Sequence, residues 1–285
     1  MLAIAEWWVL VKIDIDFYKR AYFYFDKPVD YPIKDKMIKI YPIMVEDSEV
    51  FLSSMNILMV DKNSSPSVEI IQMSYLEFIY KVLFQDQTNI DRFMNILKYC
   101  LHINSPYIGF DENNKPYLVD KENDILIGPK DFENIKRLIL YQNLIRYDDE
   151  YVNPELKAMM NEIDELKNKG IDSPTIERRI AIITAHCGLS KQEQLKMTYR
   201  SHSLLFEEVY GEVEYTTLRP IALFGGNGDK IDNWIYKKKK DKFDGYITDA
   251  DKYSASMGGQ YNAIQSTNTN RGDILSQQYE QFVNK

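Results

Sequence analysis

Three patterns in this chain predict an α+β fold that is mainly α. Short β-type runs bounded by turn residues gather in the first 41 positions and again between Tyr107 and Gly128. Apolar residues at helical spacing fill most of the chain between them. After residue 148 the pattern is almost wholly helical, until a polar terminal stretch takes over. The expected architecture is a small N-terminal antiparallel sheet plus helices, followed by a helical C-terminal part. Residues 1–148 form the α+β domain, 149–247 a helical domain with a helix-turn-helix-like hairpin, and 248–285 a polar, flexible tail.

The N-terminal strand rests on strict alternation: Val9, Val11, Ile13, Ile15 and Phe17 against Lys12, Asp14 and Asp16. A period of two over nine residues describes a half-buried strand. Tyr22–Phe25 and 36–41 extend the β signal, with Asp26-Lys27-Pro28 and Tyr31-Pro32 as breaks. Helices follow over 46–59, 66–84 and 89–100, the last carrying Ile90, Phe93, Met94 and Leu97 on one face. YIGF, PYLV and DILIG then read as three strands, the first two joined by a polar hairpin loop at 111–115. Pro129 opens a helix with Phe132, Ile135, Leu138 and Ile139 on one side. A composition shift at 146–154 precedes helices over 154–169, 174–186 and 190–209, with Gly170 as a C-cap and Ser173-Pro174 as a cap and first-turn proline.

A formal charge of −8 over 285 residues argues against non-specific nucleic-acid binding, which needs Lys and Arg to meet phosphates. The 21 Tyr, 13 Phe and 3 Trp suit either an interface or an aromatic-rich core. Cys100 and Cys187 make no CxxC pair and no disulfide framework, and both read as buried, inert thiols of a reducing compartment. The N-terminus lacks a basic leader and a small-residue cleavage site, and no run approaches the roughly 18 apolar residues a membrane helix needs. The expected location is the cytosol in which the chain is made.

The segment from Pro174 to Val209 reads as helix, tight glycine turn, short helix and a further helix, the layout of a DNA-reading hairpin. Gly188 supplies a tight turn, and Ser190 with Glu193 makes a capping box. Gln192, Gln194, Lys196, Tyr199, Arg200 and Ser201 are the side chains a recognition helix could place on base edges. Glu193, Glu207 and Glu208 oppose that reading, no basic cluster flanks the segment, and plain helical packing is the simpler account. Trp234-Ile235-Tyr236-Lys237-Lys238-Lys239-Lys240 is either a solvated helix end or a salt-sensitive docking patch. The glycine-rich run 224–230 lacks the GxxxxGK[ST] layout of a phosphate loop and reads as a connection. Asp14 and Asp16 share a strand face, and His186 or His202 could serve as a base. The three histidines, His102, His186 and His202, show no ligand spacing. No catalytic, metal or cofactor residue is expected, and the chain does not read as an enzyme.

Several phrases resemble tail assembly chaperones from the structural-gene cluster of long-tailed phages of Gram-positive bacteria. They include Ile38 to Ile43, Val60 to Asn63, Gln72 to Leu76 and Leu140 to Leu144, then Cys187-Gly188-Leu189-Ser190 through Met197-Thr198-Tyr199-Arg200, and Trp234 to Lys238. The resemblance covers most of 30–245 and lies in structural phrases rather than a catalytic signature. It implies a non-enzymatic protein that coats the helical tape-measure protein, helps recruit tail-tube subunits and self-associates. Leu189, Leu195, Met197, Tyr199 and Leu204 would supply its apolar partner-binding surface, with Trp234, Tyr236, Lys237 and Lys238 beside them. The β-rich N-terminal part and the long polar tail depart from the simplest members. They leave open a frameshift-extended form, or a structural virion protein of the head–tail connector or baseplate. A DNA-binding regulator built on 174–209 is a third reading.

Overall fold

The computed structural model describes residues 13–112, 114–150, 152–167, 169, 173–225 and 235. It is mostly helical, with a two-stranded antiparallel sheet near the N-terminus, a three-stranded antiparallel sheet and a helical C-terminal part. The described residues of Met1–Pro154 and Asp172–Trp234 make one compact unit, and those of Glu155–Ile171 and Ile235–Lys285 belong to a second. In the second unit, α8 (Pro154–Lys167) is an amphipathic helix whose Met159 and Leu166 are exposed.

The first unit begins with a correction. Residues 9–12 of the expected strand lie outside the described residues, and its last residues, from Ile15, open helix α1 (Ile15–Ala21). Asp14 caps it, its carboxylate accepting the Phe17 amide at 3.0 Å, and Asp16 pairs with Lys19 at 3.3 Å. Ile15, Tyr18 and Tyr22, at helical spacing, lean on the core, and the two tyrosine rings stack at 5.8 Å. One face of helix and one face of strand were both available to this run; the cap and the tyrosines decided for helix. Phe23–Phe25, expected as β, is a single 3₁₀ turn that buries Phe23 and ends at Asp26, in the left-handed region at φ 55°.

Strands β1 (Val29–Ile33) and β2 (Lys36–Ile40) pair antiparallel, Val29 opposite Ile40 and Ile33 opposite Lys36. Pro32, expected to break the chain, sits inside β1. Among the described residues the sheet has two strands, so the missing N–H of Pro32 need not interrupt a ladder. Val29, Tyr31 and Ile33 face the core, as do Ile38 and Ile40.

The helix expected at 46–59 is a 3₁₀ turn followed by α2 (Ser48–Ser54) and α3 (Asn56–Met59). Ser48 and Ser53 hydroxyls donate to carbonyls three residues back, which competes with regular helix bonding. The helix expected at 66–84 divides into α4 (Val68–Gln72) and α5 (Tyr75–Lys81) because Ser74 starts a new helix, its hydroxyl accepting the Glu77 amide at 3.2 Å. A final 3₁₀ turn closes this stretch at Gln85.

The core lies around α6 (Gln87–Leu101) and, after the second sheet, α7 (Pro129–Asn143). Phe93, Ile96, Leu97, Cys100 and Leu101 form the buried stripe of α6, and Phe132, Ile135, Leu138 and Ile139 that of α7. Phe93 sits between Phe84 at 5.4 Å and Phe132 at 5.8 Å, ring centre to ring centre. Burial pushes the Cys100 thiol pKa up, so it stays protonated and inert. The Lys136 amine lies 3.6 Å from the centre of the Tyr75 ring and pairs with Glu133 at 2.8 Å, while burial holds its pKa below the usual lysine range.

β3 (Pro106–Phe110), β4 (Pro116–Asp120) and β5 (Ile125–Ile127) form the second sheet in sequence order, all antiparallel. Gly109 stands opposite Tyr117, whose ring lies so close that a Cβ there would meet it at 2.6 Å. Beyond α7 the chain is tied back by Asp149, which takes the Arg137 guanidinium and the Tyr141 hydroxyl, the latter at 2.7 Å. Burial works against that carboxylate's charge, but these bonds outweigh it and leave the Asp149 pKa below the usual range.

Three helices complete the unit: α9 (Ile176–Cys187), α10 (Lys191–Leu195) and α11 (Tyr199–Phe224). Backbone bonds from Ile43 and Val45 are among those that tie them to the earlier core. Ile43 N–H donates to the buried Asn143 Oδ1 at 2.8 Å, and the Ile43 carbonyl accepts the Tyr199 amide at 2.7 Å. Val45 N–H donates to the Met197 carbonyl at 2.9 Å, making a one-residue antiparallel bridge between Met44 and Thr198. Asn143→Leu would remove the acceptor while roughly keeping the volume, stranding a buried amide. We expect a loss of about 1–3 kcal/mol in urea denaturation, and an unchanged midpoint would show that Ile43 finds another partner.

Candidate protein-binding surface

The hairpin that the sequence singled out is held by local capping and by one buried amide. Gly188 ends α9 in the left-handed region at φ 70°, its N–H donating to the Thr184 carbonyl at 3.0 Å. Thr175, rather than Ser173, is the N-cap of α9. Ser190 and Glu193 form the expected capping box, with Ser190 N–H donating to Glu193 Oε2 at 2.8 Å and Glu193 N–H to Ser190 Oγ at 3.3 Å. The Ser190 hydroxyl and then its amide hold the Glu193 pKa below the usual carboxylate range. A new helix begins at Thr198, whose hydroxyl accepts the Ser201 amide, so the turn is followed by a short helix and a further helix, as the hairpin layout implied.

Gln194 is fully buried beneath the turn. Its amide nitrogen donates to the Ile180 carbonyl, Thr184 Oγ1 and the Leu189 carbonyl at 3.2, 2.9 and 3.0 Å. Its carbonyl oxygen lies 3.2 Å from His202 Nε2. That oxygen can only accept, so Nε2 carries the proton, and Nδ1 is left as a buried acceptor without a partner. Burial, then the nearby Arg179 charge, lowers the His202 pKa. Arg179 itself donates to the Pro174 carbonyl at 3.0 Å and lies over the Phe206 ring.

Of the side chains offered for base reading, Gln194, Tyr199 and Arg200 are buried in the chain's own core. Arg200 donates to the Tyr141 carbonyl at 3.0 Å. Thr198 and Ser201 donate their hydroxyls to the Asp26 carboxylate at 2.5 and 2.8 Å.

The expected partner-binding residues divide in the same way. Leu189, Leu195 and Met197 are half-buried, Leu204 is exposed, and Tyr199 is only 8% exposed. Tyr199 is therefore a correction: capping by Thr198 and the bridge to Ile43 turn its ring into the core. Trp234, Tyr236, Lys237 and Lys238 lie outside the described residues, as do Gly170, most of the 224–230 run and the 248–285 tail. Cys187, expected buried, is exposed. Asp14 and Asp16, expected on one strand face, are separated by helical geometry and engaged in the cap and in the Lys19 pair. Among the described residues no group of three or more His, Cys, Asp or Glu converges to hold a metal. None of the described helices is long and apolar enough to cross a membrane.

A polar cleft of about 340 Å³ opens beside the bridge, lined by Asp47, Lys98, Tyr99, His102 and Asn104 over Pro42, Ile43 and Met44. His102, the left-handed cap of α6, stacks on Tyr41 at 3.7 Å between ring centres.

The surface that sequence reasoning missed is the outer part of α11. The helix was expected to end at Val209, yet it runs on to Phe224. Tyr210, Val213, Leu218, Ile221, Leu223 and Phe224 are all exposed along it, Phe224 to 95%. Their signal was present in the spacing, hidden by Gly211, the two threonines and Pro220, all poor helix formers. No family model, curated protein or solved structure matches the chain.

The depressed His202 pKa carries a sign. An unfolded histidine takes up a proton near pH 6.5, whereas the folded one resists until lower pH, so the native state binds fewer protons in between. Stability should be complete above about pH 6.5 and fall as the pH drops below it. His202→Asn keeps a donor for Gln194 and has nothing to titrate. Urea midpoints at about pH 7 and about pH 5 should differ less in that variant than in the parent.

Proposed function

We propose that this chain is a tail assembly chaperone of a long-tailed phage: a non-enzymatic protein of the host cytoplasm that binds the tape-measure protein and aids tail-tube assembly. The observation that carries the reading is the outer part of α11, which leaves the core with its apolar side chains uncovered. A cluster of large apolar residues on one exposed element marks a place for a protein partner. The family resemblance in the Gly188-Leu189-Ser190 and Met197-Thr198-Tyr199-Arg200 phrases supports the same reading. Those phrases build the hairpin and set the base from which the exposed helix extends. A net charge of −8 favours solubility while such a surface is exposed.

Co-expression with the tape-measure protein of the same gene cluster is the direct test. The tape-measure protein should move from the pellet to the soluble fraction and co-purify with this chain. An unchanged distribution would count against the reading. Mass spectrometry of purified particles should find the chain absent, whereas a stoichiometric amount would assign it to the virion instead.

A further inference from the structure

We infer that the outer part of α11 is a coiled-coil seam that receives one helix of a partner protein, and that the partner helix is basic along its flanks. The inference rests on the protein-binding reading and adds where the partner sits and what its chemistry is.

The seam is written in the spacing. Phe206, Tyr210, Val213, Thr217, Pro220 and Phe224 recur at alternating intervals of four and three residues, the repeat that keeps one edge of a helix facing another helix. Its inner end is seated in the protein: Phe206 is half-buried under Arg179, and Val209 beside it is buried. From Tyr210 outward the same edge is open. Tyr210 is 59% exposed and Ile221, which widens the edge, is 64% exposed. Fifteen residues at about 1.5 Å each give roughly 22 Å of open seam, or about four turns. A 3.5-residue repeat is matched by another helix with the same repeat; a strand, with its period of two, cannot follow it.

Charge selects among helices. Glu207 and Glu214 each follow a seam residue by one position and mark one edge of the seam, a heptad apart. Glu208 and Glu212 are exposed on the rest of the helix. Arg219 is the one Lys or Arg between Ser201 and Phe224, and its guanidinium is engaged with Tyr215. From the core side, Arg146 pairs with Glu207 at 2.7 Å, leaving Glu214 as the edge charge over the open stretch. A second copy of this chain is a poor occupant. Its seam edges between Val209 and Leu223 offer no Lys or Arg to meet Glu214, and each copy carries −8. A partner helix with Lys or Arg beside its apolar seam meets both requirements.

The test uses the full-length chain and three labelled synthetic peptides of about three heptads, followed by fluorescence anisotropy. One has an apolar seam with lysine flanks, the second the same seam with glutamate flanks, and the third the lysine peptide with its seam order scrambled. The first should bind, the second at least about tenfold more weakly, and the third not measurably. Ile221→Glu and Val213→Glu should weaken the first peptide by at least about tenfold. Both sites are exposed, and an unchanged melting temperature would show that the variants fold. Equal binding of the scrambled peptide would reduce the effect to charge alone and overturn the seam. A parent chain that sediments as a dimer, and becomes a monomer with Ile221→Glu, would assign the seam to a second copy instead. Should Ile221→Glu still solubilise the tape-measure protein, the seam is wrong and the chaperone reading stands. Should the parent chain bind the first peptide yet leave that protein insoluble, the seam stands and the chaperone reading falls.

Discussion

The backbone of Ile43 ties the two parts of the described fold together. Its N–H is used by Asn143 at the end of α7, and its carbonyl by Tyr199 at the start of α11. Both Ile43 and Asn143 are almost wholly buried, so neither backbone group of Ile43 has water as an alternative. Around this point the other ties accumulate: Val45 to Met197, Thr198 and Ser201 to Asp26, and Arg200 to the Tyr141 carbonyl. Segments between 59 and 175 residues apart thereby meet through directional bonds rather than apolar contact alone. Such bonds fix the angle at which α11 leaves the core, because a sliding contact would break several of them at once.

The parts of the fold legible in the sequence are those where one periodicity stood without a competitor. The α6 stripe from Phe93 to Leu101, the α7 stripe opened by Pro129 and the three runs between Tyr107 and Gly128 all have one face and clear ends. Val9 to Phe17 had two faces on offer, and the alternation outvoted a cap at Asp14 whose effect shows only in three dimensions. The division at Ser74 was harder to see for a related reason. A serine inside an apolar run looks like a polar interruption until its hydroxyl is seen to receive the amide three residues on. Ser74 with Glu77 carries the same signature as Ser190 with Glu193, yet the apolar rhythm on both sides masked it.

The candidate surface failed to emerge from sequence for a different reason. An apolar or aromatic residue at regular spacing shows that the side chain seeks burial, but not whether its own chain or another provides it. Tyr199 and Leu204 lie on the same helix and drew the same expectation; the first is in the core and the second in solvent. What separates them is the bridge to Ile43, a contact across more than 150 positions that no local pattern announces. The outer residues of α11 have no such counterpart within the described core, so their spacing is left facing outward.

A helix that is half core and half surface also answers a thermodynamic difficulty. An isolated segment of about fifteen residues is marginal as a helix in water, because nucleation is unfavourable and propagation gains little per residue. In α11 the first turns, from Tyr199 to Val209, are nucleated by the Thr198 cap and by burial against the core. The stretch beyond adds residues to an existing helix, so Gly211, Thr216, Thr217 and Pro220 are tolerated despite their poor propensity. Presenting the seam on an extension of a buried helix reduces the ordering entropy a partner would otherwise have to offset. Gln194 and His202 sit inside the hairpin from which the exposed helix extends, the former with every amide contact within it. A polar pair there is less stabilising than an apolar one of the same shape, but it admits one geometry, and one geometry is what a directed helical surface requires.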